Sequence, residues 1–341
     1  MISFESDYIT GAHPKVLQRL METNLEPQPG YGSDSYCASA AEKIKAACEC
    51  PEADVQFLVG GTQTNAIVIT SMLQEYEGVI SAATGHIHAH EAGAVEYGGR
   101  KILPLPHKDG KLDAATVKAY IQTILDDEAC EHMIYPGMVY ISHPTEYGTL
   151  YSKQELTALS DVCREFQIPL FLDGARLAYG LMSHHTDVTL PDIARLCDVF
   201  YIGGTKAGAL CGEAVVFTKG NTPAHWKNRI KKRGALLAKG RLLGVQFDAL
   251  FTDGLYFEIG RHAIEFAEQI KRIFQEKGYS FFMDSPTNQQ FVILDRETLE
   301  RLRKNVAVSM WEWVDEDHAV VRLATTWSTT EEDLNELRAL L

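Results

Sequence analysis

Short apolar runs, each closed by glycine or a polar turn, recur along the chain with helical patterns between them. The runs Val55–Val59, Val79–Ser81, Ile102–Leu105, Met138–Ser142, Ile168–Leu172, Val199–Ile202 and Ala214–Phe217 are brief and apolar, with β-branched and aromatic residues, so each predicts a buried strand. Between them, Thr62–Tyr76, Glu91–Tyr97, Ala114–Leu125, Lys153–Phe166 and Leu190–Leu196 read as helices. Strands alternating with helices imply an α/β fold with a mainly parallel sheet covered on both faces. Past Trp226 the texture changes to a long helical stretch (Phe257–Glu276), strand-like Gln290–Leu294 and Ala319–Ala324, and a closing helix from Thr330. The expected organisation is a large domain over residues 1–240 and a smaller C-terminal α+β domain over 241–341.

Composition narrows the function classes. With 341 residues, 45% hydrophobic and 23% charged, the chain is long enough for two such units and ordinary for a globular protein. A formal net charge of −14 argues against nucleic acid as the main partner. No apolar run is long enough to span a bilayer, and residues 1–10 lack the basic start and apolar centre of a signal peptide. The seven cysteines fall at irregular spacing without a metal-binding pair, which suggests reduced thiols and a cytoplasmic location.

Two strand ends carry chemistry. Ile168–Leu172 runs into Asp173-Gly174-Ala175-Arg176, and Val199–Ile202 runs into Gly203-Gly204-Thr205-Lys206-Ala207-Gly208. Ligands of open α/β sheets sit beyond the carboxyl ends of the strands, so both loops are expected to open onto one crevice. Taken singly, Asp-Gly is usually a turn and lysine usually a solvated surface charge. Together they supply what pyridoxal 5'-phosphate (PLP) requires: an amine for a Schiff base and an acid for the pyridine nitrogen. Small, weakly polar neighbours desolvate Lys206 and favour its neutral, nucleophilic form.

Other loops add to this. Gly60-Gly61-Thr62 after Val55–Val59 would present free N–H groups and a hydroxyl at a helix start, a cup for phosphate; the plainer reading is an N-cap by Thr62. Gly203–Gly208 has glycine spacing like a P-loop but lacks its Lys-Ser/Thr ending. His86, His88 and His90, with Glu91, could hold a metal on a strand. Glu91 instead reads as a helix start that would make them diverge, leaving one imidazole to stack on a cofactor ring, and no metal is expected. Arg322, alone in an apolar strand, calls for an anion, either a protein carboxylate or a substrate carboxylate held in a bidentate fork.

These residues, with Ser6-Asp7, His13-Pro14, Tyr31-Gly32-Ser33-Asp34, Asn65, Glu91-Ala92-Gly93 and Gly148-Thr149, resemble the PLP-dependent threonine aldolases of the β-eliminating lyase group over nearly the whole chain. The resemblance implies the aspartate aminotransferase-like PLP fold type I and cleavage of the Cα–Cβ bond of L-threonine or L-allo-threonine to glycine and an aldehyde. It implies that Lys206 holds PLP, Asp173 faces the pyridine nitrogen, Arg176 contacts the phenolic oxygen, His86 stacks on the ring, and Gly61 and Thr62 bind phosphate. Ser6 and Arg322 would bind the substrate carboxylate. Tyr31 would reach a neighbouring subunit's site in a dimer or tetramer.

Two segments depart from the family pattern. His143-Pro144-Thr145-Glu146 stands where many members carry a Thr-His-Asn segment, leaving His88, His143 and Glu146 as candidates for the base. In Arg233–Gly240, Lys239 is the candidate cation for a neighbour's phosphate. Two alternatives stay open: PLP-dependent β-elimination or transamination of another amino acid, and a non-catalytic or metal-binding α/β protein.

Overall fold

Every predicted apolar run of the N-terminal part becomes a strand of one sheet in the computed structural model, which describes residues 2–341. The seven strands lie in the order Asp54–Leu58, Glu213–Phe217, Val199–Gly203, Leu170–Asp173, Tyr135–Ser142, Glu77–Ala82, Lys101–Leu105. Neighbours pair in parallel except Glu213–Phe217, which is antiparallel to the strands on both sides.

The runs are apolar throughout because both faces of the sheet are covered. Ile80, Ile141, Leu172, Ile202 and Val216 face a core closed by helices that include Ser35–Ala47, Lys153–Glu165 and Arg241–Leu250. Their neighbours Val79, Tyr140, Phe171, Tyr201 and Phe217 face a second core under Gly61–Met72 and Trp226–Lys232. That alternation is the period-two geometry of a strand. It puts Tyr140, Phe171 and Tyr201 on one face, the face from which Asp173 also projects.

A second sheet is antiparallel, ordered Ser309–Trp313, His318–Ala324, Gln289–Asp295, Phe281–Met283. Its core joins Val292, Val321 and Leu323 to Phe266, Phe274 and Leu337, and also to Ile2 and Phe4. The helix Leu255–Glu276 serves both bodies: Tyr256, Ile259 and Ile264 pack in the large core, Phe266 and Phe274 in the small one. A parallel pairing of Ile2–Ser3 with Val306–Ala307, and a bond from Ala324 N–H to the Phe4 carbonyl (2.8 Å), bind the N-terminal segment to the small sheet.

Two expectations shift, and the small sheet has two edge strands that the apolar pattern does not announce. The strand expected from Ile168 starts at Leu170, because Gln167 (φ 57°) turns the chain out of the preceding helix and Ile168 N–H bonds back to Cys163. The helix expected over Glu91–Tyr97 is broken by Ala92 (φ 50°) and Gly93 (φ 74°), leaving the turns His86–Ala89 and Ala94–Tyr97. The edge strands Phe281–Met283 and Ser309–Trp313 carry no clean apolar pattern, since they are only partly covered.

Candidate active site

Register brings the site together. Ser142 pairs with Asp173 across neighbouring strand ends, and Tyr140 pairs with Phe171 one step below. Tyr201 lies at the level of Asp173 on the other side, since Phe171 pairs with Val199. Asp173 is therefore flanked by phenols: Tyr140 donates to its Oδ2 at 2.6 Å and Tyr201 to its Oδ1 at 2.5 Å. Asn65, on the helix above, donates to Oδ2 at 3.0 Å, and Ala175 N–H to Oδ1 at 3.0 Å. Burial alone would raise this carboxyl, but the nearby His86 and the donors from Tyr140, Tyr201 and Asn65 hold it below the ordinary range. The result is a buried anion held largely by neutral donors.

Lys206 lies at the next strand end and lines the same cavity of about 320 Å³ with Gly60, Gly61, Thr62, His86, Glu146, Asp173, Arg176 and Glu213. Burial and the Arg176 guanidinium lower its amine despite Asp7, Asp173 and Glu213 nearby. Arg176 is committed elsewhere, donating from Nε (2.6 Å) and Nη2 (3.0 Å) to Asp7, which also accepts from Asn288 at 3.0 Å. Burial opposes ionisation of Asp7, but Arg176 and Lys206 outweigh it and hold the carboxyl at about 2. This pair therefore stabilises the fold fully above the ordinary carboxyl range, near pH ~4, and the stabilisation is lost as pH falls through about 2. Asp7→Asn should lower stability by ~3–5 kcal/mol at neutral pH by stranding Arg176, and make acid unfolding shallower. Thermal unfolding against pH checks this.

The cup is the start of the helix Gly61–Met72. Gly60, not Thr62, is the N-cap, with no side-chain cap, so the first N–H groups have no intrahelical partner. Opposite, His86 Nδ1 lies 2.8 Å from Glu91, which also accepts from Asn65 at 2.8 Å. Asn65 thus spans two buried carboxylates and fixes the ring of His86 through one of them. Glu146 Oε1 accepts from Ser142 Oγ (2.6 Å) and from His86 N–H (3.0 Å), and burial pushes this carboxyl up.

The cavity continues into one of about 430 Å³ that shares Tyr8, His86, Glu146, Arg176 and Lys206 and reaches Trp311 and Arg322. Arg322 donates to Gln289 Oε1 and to the Glu5 carbonyl, each at 3.2 Å, while its buried Nε has no partner. Ser6, between Glu5 and Asp7, has a buried hydroxyl that is likewise unpartnered.

The remaining candidates lie apart. His88 is exposed and lines neither cavity. His143 is fully buried, accepts from Tyr151 N–H at 3.3 Å, and is pushed down to about 4 by burial and Lys111. Tyr31 is exposed, its ring 4.9 Å from the Lys231 amine, and it borders a different cavity with Leu236, Leu237 and Gly240. Lys239 is exposed on that same side. Among the described residues no three His, Cys, Asp or Glu gather as metal ligands would. Tyr140, Tyr201 and Glu213 are the site residues that sequence reasoning misses, and it gives Asp7 and Glu91 no role against Arg176 and His86. The one signal of Tyr140, Tyr201 and Glu213 is a polar group inside or at the start of an apolar strand, which gains meaning only with the register.

The model of the β-eliminating lyase family matches residues 3–297. A low-specificity L-threonine aldolase of Pseudomonas sp. is 29% identical over 340 residues, covering 98% of this chain and 96% of its own length. The structure of Leishmania major threonine aldolase is similar with a TM-score of 0.96 at 42% identity, over 100% of this chain and 98% of that one. A mutant Thermus thermophilus aspartate aminotransferase, at 14% identity, matches 100% of this chain and 92% of its own with a TM-score of 0.72, so the aminotransferase-like fold type I expected from the sequence is the fold observed. A family match over most of the chain, on a sheet whose strand ends bring Asp173 and Lys206 to one cavity, makes this chain a member of the β-eliminating lyase family.

Proposed function

We propose that this chain uses PLP, held at Lys206, to cleave the Cα–Cβ bond of L-threonine, L-allo-threonine and related β-hydroxy-α-amino acids to glycine and an aldehyde. The observation that carries the reading is the single cavity in which Lys206 and Asp173 meet and which continues to Arg322, whose buried Nε has no partner. The residues fit the cofactor. Asp173 offers a buried anion for a ring nitrogen, the uncapped start of Gly61–Met72 offers N–H groups for phosphate, and His86 offers a flat ring fixed by Glu91. When bound, PLP supplies an electron sink for the negative charge left at Cα.

The chain's own residues do the rest. Arg322, which lines the continuation of the cavity, would hold the substrate carboxylate with the help of Ser6 next to Asp7, leaving the β-hydroxyl to face a base. Of the three candidates only Glu146 lines the cavity, and its raised pKa makes it a stronger base than an ordinary carboxylate. It takes the hydroxyl proton as the aldehyde forms. Glu146→Gln should lower kcat/KM for L-threonine by ~10²–10⁴-fold while PLP binding persists. Acetaldehyde and glycine released from L-threonine are the products to measure. Formation of 2-oxobutanoate instead would overturn the aldolase reading, and an active Glu146→Gln would place the base elsewhere.

The same reading makes the working species a cytoplasmic homo-oligomer in which Tyr31 and Lys239 serve a neighbouring copy. It is supported by their position on one exposed side away from the Lys206 cavity and by the free state of all seven cysteines. Among the described residues no helix is long and apolar enough to cross a membrane.

A further inference from the structure

Glu213 is a carboxyl group in the Lys206 cavity that none of the roles above uses. It opens the one antiparallel strand of the large sheet, and its pairing partners are Leu58 on one side and Gly203 on the other. The Gly60–Gly61–Thr62 turn follows Leu58 and the Thr205–Lys206 turn follows Gly203, so Glu213 stands between the anion cup and the amine. Its two oxygens are held by neutral donors, Gly204 N–H on Oε2 at 3.2 Å and Thr205 Oγ on Oε1 at 2.8 Å. Thr205 Oγ in turn accepts from Gly212 N–H at 3.1 Å. The carboxyl therefore ties down both residues that precede Lys206.

A charged carboxylate at this place would oppose the anion the cup is built for, since both line the one cavity. Burial and the neighbouring Asp173 push Glu213 up to about 8, although Thr205 and the Lys206 amine pull the other way. The other titratable groups facing it are Tyr201 on the adjacent strand, Tyr256 from the helix Leu255–Glu276, and Cys211. All three are raised, by burial first, and stay neutral at neutral pH.

We propose, resting on the PLP reading above, that Glu213 is a positioning residue that must be protonated when the cofactor's phosphate enters the cup, so that phosphate binding is linked to a proton on this carboxyl. At neutral pH the group is already neutral. At higher pH, binding draws one proton from solvent onto Glu213, and affinity falls accordingly.

For one linked group of this kind the PLP dissociation constant should rise about tenfold between about pH 7 and pH 9. The test is a PLP titration of the wild type and Glu213→Gln across that range, repeated with pyridoxal, which reacts with the same amine but lacks the phosphate. The expected result is that Glu213→Gln loses this tenfold rise for PLP, while the two proteins follow the same trend for pyridoxal. Glu213→Met, uncharged and of similar size, should flatten the PLP profile equally if the amide disturbs the loop. Parallel PLP profiles in wild type and variants overturn the inference, as does an equal change with pyridoxal, which would place the effect at Lys206. A wild type that binds no PLP overturns the cofactor reading and this inference with it.

Discussion

Replacing Lys206 with alanine is expected to abolish the absorbance band near ~420 nm of lysine-bound PLP and to slow cleavage of L-threonine by about a thousandfold or more. Fold stability should hardly change, and this separates the result from simple misfolding. The Lys206 amine is buried beside the Arg176 guanidinium, and burial and that like charge are the two largest influences on it, both disfavouring its charged form. The carboxylate nearest in role, Asp7, is already satisfied by Arg176 and Asn288. Removing the amine therefore strands no partner and relieves a desolvated charge. The unfolding midpoint of the cofactor-free protein should stay level or rise. A variant that keeps the band would sink the assignment of the amine, whatever its activity.

Asp173→Asn is expected to fail in a different way, losing both stability and rate. Its carboxylate accepts from Tyr140 and Asn65 on one oxygen and from Tyr201 and Ala175 on the other. An asparagine must turn its amide NH₂ toward one of those pairs. The phenols can rotate to accept, but the N–H of Ala175 cannot, and the Asn65 amide can flip only by turning its oxygen onto Glu91, so a buried bond is lost in either orientation. Such a loss costs ~1–3 kcal/mol, a drop of several degrees in the unfolding midpoint. In the proposed role the variant also removes the negative charge that would keep a pyridine nitrogen protonated, and kcat should fall by ~10²–10⁴-fold as the electron sink weakens. Unfolding measured without PLP and turnover measured at saturating PLP separate the two effects. Wild-type turnover in this variant would show that the anion serves the fold alone.

The part of this site legible in the sequence is the part that punctuates the chain. Asp173 and Lys206 each stand where an apolar run stops, so the run that makes the strand also announces the residue. Glycines 60 and 61 are visible for the same reason. Tyr140 and Tyr201 are hidden because an aromatic residue inside an apolar run reads as core, and only the pairing of their strands shows that both hydroxyls reach one carboxylate. Glu213 is hidden more deeply. It precedes the run Ala214–Phe217 and looks like a turn residue, yet it is the first residue of a strand inserted between two others. Glu146 was one of three candidates for a base, and its burial beside Ser142 and His86 set it apart only once the chain was folded. The small sheet was half legible: its central strands are apolar, whereas its edge strands include half-exposed aromatics such as Trp313.

The segment Phe4–Asp7 is anchored at its two ends to different bodies. Phe4 is bonded to Ala324 in the small sheet, and Asp7 is locked to Arg176 beside the large one. Between them the Glu5 carbonyl holds Arg322. Glu5 and Asp7 are two residues apart, so their Cα atoms cannot separate by more than ~7 Å. The segment is in effect a covalent ruler laid between two guanidinium groups. Any swing of the small sheet away from the large one pulls this ruler taut before it can open the gap. The spacing between Arg322 and Arg176 is therefore limited by bond lengths, where packing alone would let it drift.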